Sequence, residues 1–273
     1  MRSGAGTIRS GVVFSLSREI PTTPSPNNPF PAHHTLIPLQ RQGRTTETVD
    51  YISVHPHGLG CTHLDAICHN WGDDGLYNGR DPDVLFGPDA QRWADIDQWR
   101  TGFVTRGVVV DVPRARGVPA VEVDAPVTGE ELEGVLRDQG VAMAPGDALL
   151  VHCGRDAWEE ANGPYGAPRS SGLPTGAERR PGLHASCIEF IREHDVSLLL
   201  WDMLEATPTG YGLHNGTVHN ILHAFGVGIV DNCTMGEMTS YCAEAGRYEC
   251  LLVVSPLRLP GASGCPVNPL AVF

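Results

Sequence analysis

The chain has 273 residues, 41% of them apolar and 19% charged, which is enough for one large domain with a sizeable core. Its 19 basic side chains are all arginines scattered among 32 carboxylates, and the net charge of −13 argues against a nucleic-acid partner or an anionic membrane surface. No stretch approaches the roughly 20 apolar residues that span a bilayer; the opening Met-Arg-Ser-Gly-Ala-Gly-Thr does not read as a signal peptide, and eight cysteines without a Cys-x-x-Cys pair predict a reduced, cytoplasmic protein.

Residues 7–17 read as a strand, and residues 18–50, which include a proline-rich stretch at 21–31, read as an irregular segment. A Gly/Asp/Asn-rich surface segment covers 72–83, and a strand follows at Gly107–Val112. Thr128-Gly-Glu-Glu131 has capping-box spacing ahead of Leu132, Val135 and Leu136, which predicts a helix over about 129–139. Pro145-Gly146-Asp147 turns the chain into Ala148–His152, a continuous apolar run of the kind found in buried strands. Residues 161–182 are too long and too rich in Gly and Pro for a simple turn, and they predict a lid or binding loop. Helix is predicted at His184–His194, strand at Val196–Trp201, helix at Thr217–Phe225 ended by Gly226, and a last clear strand at Val227–Val230. Strands alternating with helices predict a single α/β (α+β) domain over residues 1–273.

Between residues 57 and 69 stand His57, His63, Asp65 and His69. In extended backbone His63 and Asp65 emerge on one face, where an imidazole and a carboxylate can meet one cation. A helical turn after Asp65 brings His69 to the same side. Lone histidines are usually satisfied structural groups, but four ionisable groups this close favour a site. Two histidines and a carboxylate suit zinc, manganese or ferrous iron.

The stretch resembles the His-x-Gly-x-His-x-Asp-x-Pro-x-His signature of the cyclase family of metal-dependent hydrolases, which includes kynurenine formamidase and isatin hydrolase. The resemblance implies that His63 and Asp65 bind a divalent metal, zinc or manganese, and that His69 is the catalytic acid/base. It also implies a swivelling β/β/α domain, a mixed sheet flanked by helices, assembled as homodimers or homotetramers. Leu59, Cys61 and Ile67 stand where the family has its first ligand histidine, its glycine and its proline. Either His57, displaced by two residues, supplies the missing ligand, or Cys61 does so as a thiolate, or the site is weakened. Neutral imidazole needs no deprotonation, which favours His57.

Further along, His219 and, twelve residues on, Asp231 reproduce the family's His and Glu spacing with a shorter carboxylate. Helix surface and capping roles are the plain alternatives for this pair. Asp202 and Glu205 follow a buried strand, as capping groups or site groups; His223, His33 and His34 read as structural or solvated. Trp71 and Tyr77 are candidate substrate-binding aromatics, and Trp158 and Tyr165 suit a pocket or the core. Cys68 lacks a base to make it a nucleophile. The expected activity is hydrolysis of an amide or lactone in a small cyclic or aromatic molecule, with His69 moving the proton. A metal-free or weakly metallated cyclase, dehydratase or lyase of a biosynthetic pathway, and a non-catalytic small-molecule binding protein on the same scaffold, are the competing expectations.

Overall fold

The structure is a computed structural model that describes residues 2–83, 93–166, 179–207 and 218–273. Nine strands form one mixed sheet: β1 (Val13–Ser15), β4 (His63–Asp65), β5 (Phe103–Asp111), β6 (Ala148–His152), β7 (Leu198–Trp201), β8 (Gly228–Asp231), β9 (Glu249–Val254), β10 (Gly264–Pro266) and β11 (Leu270–Val272). Their order across the sheet is β1-β11-β9-β5-β6-β7-β8-β4-β10. The central β5, β6, β7 and β8 are parallel, and the flanking pairs are antiparallel. No described helix is long and apolar enough to cross a membrane.

The runs Val108–Val110, Ala148–Val151 and Leu198–Trp201 of these parallel strands are continuously apolar and buried because both faces are covered. Leu149, Val151, Leu199 and Trp201 point into one core layer, with Leu132 and Phe190 from helices α3 (Gly129–Gln139) and α5 (Cys187–Glu193). Ala148, Leu150, Leu198 and Leu200 point into the other, with Met238 and Cys242 from α7 (Gly236–Ala245). Helix α3 begins as the capping box predicts, with the Thr128 hydroxyl accepting from the Glu131 N–H. The Glu131 carboxylate departs from that motif and takes Arg116 instead. Short helices α1 (Arg2–Ala5), α2 (Val112–Arg116) and α6 (Ile221–Phe225) complete the frame with α4 (Arg155–Asn162).

Two differences from the sequence reading matter. Residues 33–50, read as part of an irregular segment, belong with 51–53 to a hairpin of β2 (His33–Arg41) and β3 (Arg44–Ser53). Its turn is Gln42-Gly43, both at positive φ, the conformation of a type I′ hairpin. The sheet also continues beyond Asp231: α7 and β9–β11 follow, with the apolar run Cys250–Val254 pairing β5 on one side and β11 on the other. Strands of three residues such as β10 and β11 are too short to show a period. Of the loop at 161–182, residues 167–178 lie outside the described residues, as does Thr217.

The parallel strands deliver polar residues to one edge: Asp111, His152, Asp202 and Asp231 all stand at or just past a C-terminal end. His152 Nδ1 lies 3.0 Å from Asp111 Oδ1. Burial works against the imidazolium, but that hydrogen bond and the charges of Asp202 and Asp111 outweigh it and raise the His152 pKa. A raised folded-state pKa stabilises the protein fully below about pH 6.5, the unfolded value, and the gain is lost as pH rises through the folded one. We therefore expect thermal unfolding followed across pH to show stability falling above that point, and His152→Gln to flatten the decline. An unchanged profile in the variant would remove His152 as its source.

Candidate metal centre

His63 and Asp65 lie on one face of β4, and the register places His63 directly opposite Asp231 on β8. The 3-10 turn Val218–Asn220, just before α6, brings His219 to the same face. Asp65 is fully buried. Four imidazoles surround it: His57 Nδ1 at 3.0 Å, His63 Nε2 at 3.4 Å, His219 Nε2 at 3.8 Å and His69 Nε2 at 3.9 Å. None has the orientation of a hydrogen bond, so both carboxylate oxygens are buried without a donor. A buried ionised carboxylate needs a partner.

In three of the rings the other nitrogen is already engaged. His63 Nδ1 meets the Cys61 carbonyl at 2.8 Å, His219 Nδ1 meets Glu205 Oε2 at 2.6 Å, and His57 Nε2 meets Ser263 Oγ at 3.1 Å. Such contacts fix ring orientation; the one from His63 to a carbonyl places its proton on Nδ1 and leaves an Nε2 lone pair, while His219, with Nδ1 on Glu205, turns Nε2 to within 3.2 Å of Asp231 Oδ2, from where it would take a cation in its neutral form. The free nitrogens converge on Asp65 and Asp231. Ligand atoms of His57, His63 and Asp65 lie within 4.8 Å of one another, and so do those of Asp65, His219 and Asp231. With neutral imidazoles, Asp65, Asp231 and Glu205 against Arg180 leave two negative charges, which a divalent cation would balance. The donor set, the orphaned carboxylate and the charge all fit such an ion.

Burial disfavours the His219 imidazolium, yet Glu205 and Asp231 hold its pKa well above the ordinary value. Burial likewise opposes ionisation of Glu205, but His219 and Arg180 prevail and bring it to about 2. Asp231 is depressed too, by His219, His63 and the Trp201 indole N–H that it accepts, against the effect of burial. His69 moves the other way, since burial and the nearby His57 and His219 outweigh the pull of Asp65. Its ring is stacked on His57 at 4.0 Å and remains partly exposed.

The departure at Leu59 has a local explanation. Gly58 takes φ +122, open to glycine, and Arg155 captures the Leu59 carbonyl at 2.6 Å. The Leu59 side chain then packs on the core while the His57 ring reaches the carboxylate. Gly264 opposite leaves room for it, since a Cβ there would lie 2.7 Å from His57 Cε1. Cys61 is absent from both ligand groups, and burial pushes its thiol up to about 11.

The structure thus brings His57, His63, Asp65, His69, His219 and Asp231 together. Trp71 stands partly exposed two residues beyond His69, whereas Tyr77 packs its ring on Gly226, at the end of β8 away from Asp231. Asp202 serves as a cap and Glu205 faces His219. His223 lies against Gly72, and His33 and His34 lie on the exposed hairpin. Trp158 and Tyr165 are core. Sequence reasoning did not find Arg155, Asn232 or Ser263. Asn232 donates to the Gly58 and Cys61 carbonyls and accepts from Arg155, which fastens the turn carrying His57. Its place beside Asp231 was the one available signal; Ser263 had none.

A mixed sheet with an inward-facing imidazole and carboxylate cluster at its strand ends defines an α/β protein equipped to hold a cation. The Cyclase family model, described as "Putative cyclase", matches residues 14–207, and the chain belongs to that family. The crystal structure of a protein described as a novel cyclase is similar at TM-score 0.81 and 29% identity, over 100% of this chain and 92% of that one. Isatin hydrolase A from Labrenzia aggregata bound to benzyl benzoate shares the fold at TM-score 0.68 and 18% identity, over 99% and 96%. A predicted metal-dependent hydrolase from Bacillus stearothermophilus does so at 0.56 and 14%, over 95% and 97%. No curated protein matches the chain.

Proposed function

We propose that this chain is a metal-dependent hydrolase that opens an amide or lactone bond in a small cyclic or aromatic molecule. The observation that carries the reading is the buried, unpartnered Asp65 encircled by imidazole nitrogens, three of them on rings tied by their other nitrogen. His57, His63, Asp65, His219 and Asp231 would hold a divalent cation, zinc or manganese. When bound, that ion supplies Lewis-acid polarisation of the scissile carbonyl and makes water more acidic near neutral pH.

The chain's own groups do the rest. His69, neutral at pH 7 with its pKa lowered, accepts a proton at Nε2 and returns it to the leaving nitrogen or oxygen. Its stack on His57 fixes the ring plane. Glu205, held by Arg180 at 2.9 Å, keeps the His219 Nε2 lone pair directed inward. Trp71, partly exposed and close in sequence to His69, is the aromatic available to a ring-bearing substrate. The fold of an isatin hydrolase and of a predicted metal-dependent hydrolase agrees with this class. One observation favours a metal-free acid/base lyase instead: a protonated His219 between Glu205 and Asp231 would also supply a positive charge.

Elemental analysis of purified protein, joined to a screen of cyclic amides and lactones, separates the two. Stoichiometric zinc or manganese, with turnover lost on chelation and restored by the ion, is the expected result. Turnover that survives in metal-free protein would overturn the metal-dependent reading and leave acid/base chemistry by the chain's own groups.

A further inference from the structure

Tyr165 lies outside both groups of candidate ligands, yet the two arginines that serve the centre meet on its ring. The side chain is fully buried. The Arg155 guanidinium lies over the ring with Cζ 4.8 Å from the centroid, and the Arg180 guanidinium does so at 5.8 Å. Both fall within the roughly 6 Å at which a cation is drawn to an aromatic face, and the loss of water strengthens that attraction. Glu159 Oε1 adds a polar tie, accepting the Tyr165 N–H and the Arg155 Nε–H, each at 2.9 Å.

The hydroxyl closes the other side. Burial raises its pKa well above the ordinary value, so it keeps its proton. It donates to the Pro181 carbonyl at 2.8 Å and accepts the Leu204 N–H at 3.0 Å. Pro181 follows Arg180 and Leu204 precedes Glu205, so one hydroxyl sets the spacing of that ion pair.

We propose that Tyr165 is a positioning residue of the candidate metal centre, holding the His57 ring through Arg155 and the His219 ring through Arg180 and Glu205; the assignment rests on the metal reading above.

Two paths leave the ring. On one, Arg155 secures the Leu59 carbonyl and Asn232, and with them the turn that presents His57 to Asp65. On the other, Arg180 holds Glu205 Oε1 at 2.9 Å while Glu205 Oε2 faces His219 Nδ1 at 2.6 Å. A guanidinium on a flexible stem has many rotamers, and stacking on a rigid buried ring selects among them. Gly166 completes the corner at φ +66, since a Cβ there would lie 2.4 Å from Leu59 Cδ1. The leucine that stands where the family has a ligand is therefore seated beside Tyr165, and His57 takes the inward place. Loss of the ring should loosen both histidines at once, whereas a cavity elsewhere in the core costs stability alone.

Calorimetric titration of the full chain with zinc tests this. Tyr165→Leu removes ring and hydroxyl, and the folded variant is expected to bind zinc at least about ten-fold more weakly, the size of outer-shell effects on a metal site. Leu132→Ala, a cavity in the same core layer, is expected to lower the melting temperature and leave zinc affinity alone. Wild-type affinity in Tyr165→Leu, or an equal loss in Leu132→Ala, overturns the proposal. Should Tyr165→Leu fail to fold, Tyr165→Phe decides, because it keeps the ring and removes only the two hydroxyl bonds. A smaller loss of affinity in that variant supports the proposal, and wild-type affinity overturns it. Histidine ring spectra of the metal-free protein supply a readout independent of the ion. The variant is expected to shift the resonances of His57 and His219 and leave those of His34, on the exposed hairpin, in place; unmoved His57 and His219 overturn the proposal. A wild type that binds neither zinc nor manganese refutes the metal reading, and shifted rings then leave the role of Tyr165 standing.

Discussion

Asp65→Asn is expected to lower affinity for the divalent cation by at least about 100-fold, because even outer-shell contacts to a metal site are worth 10–100-fold and Asp65 is shared by both ligand groups. The amide keeps the size of the side chain and removes its charge. In metal-free protein the same change should raise stability by roughly 1–3 kcal/mol, since a buried carboxylate without a hydrogen-bond donor is costly. The two effects have opposite signs, and simple damage to the fold would not produce both. Thermal unfolding with and without zinc reads them together: the wild type melts lower without metal and much higher with it, and the variant melts at one temperature in both. A variant that kept the zinc-dependent rise would remove Asp65 from the centre.

The residues that do the chemistry in this reading were legible where they were neighbours in sequence. His63 and Asp65 share a face by strand alternation, and that face is where the structure puts them. His219 and Asp231 were visible through spacing alone, since the rest of a turn, a short helix and a strand fill the eleven residues between them. What the sequence could not display is how His57 comes to stand beside Asp65. That depends on a glycine at φ +122, an arginine 96 positions away along the chain holding a carbonyl, and a glycine at 264 leaving space for the ring. Each is an ordinary residue until the sheet order β8-β4-β10 brings it to the site. The fold was legible in the same uneven way. The two-sided burial of β6 and β7 writes itself as apolar runs, while the hairpin, exposed on both faces, shows no clean alternation of apolar and polar residues.

The largest effect on stability is expected at Asp202, a residue outside the metal cluster. Its Oδ1 accepts the N–H groups of Cys153 and Met203 at 2.7 and 2.9 Å, and its Oδ2 those of Gly154 and Arg155 at 2.9 and 3.0 Å. Gly154, the cap position just before α4, has no side chain to hold the first turn, so a carboxylate from the end of β7 does that work. Asp202→Ala leaves these donors buried without acceptors and should cost about 3–5 kcal/mol. In a chain of this size that amounts to a fall in Tm of roughly 8 °C. The loss should reach the candidate centre, because Arg155 opens α4 and its guanidinium secures both the Leu59 carbonyl and Asn232. Zinc affinity should therefore fall in the folded Asp202→Ala protein, whereas Thr128→Ala, which uncaps α3, a helix that holds none of the candidate ligands, should reduce stability by about 1 kcal/mol and leave binding alone. Equal melting temperatures for Asp202→Ala and wild type would show that water or a shifted backbone satisfies those amides, and that α4 holds its place without the carboxylate.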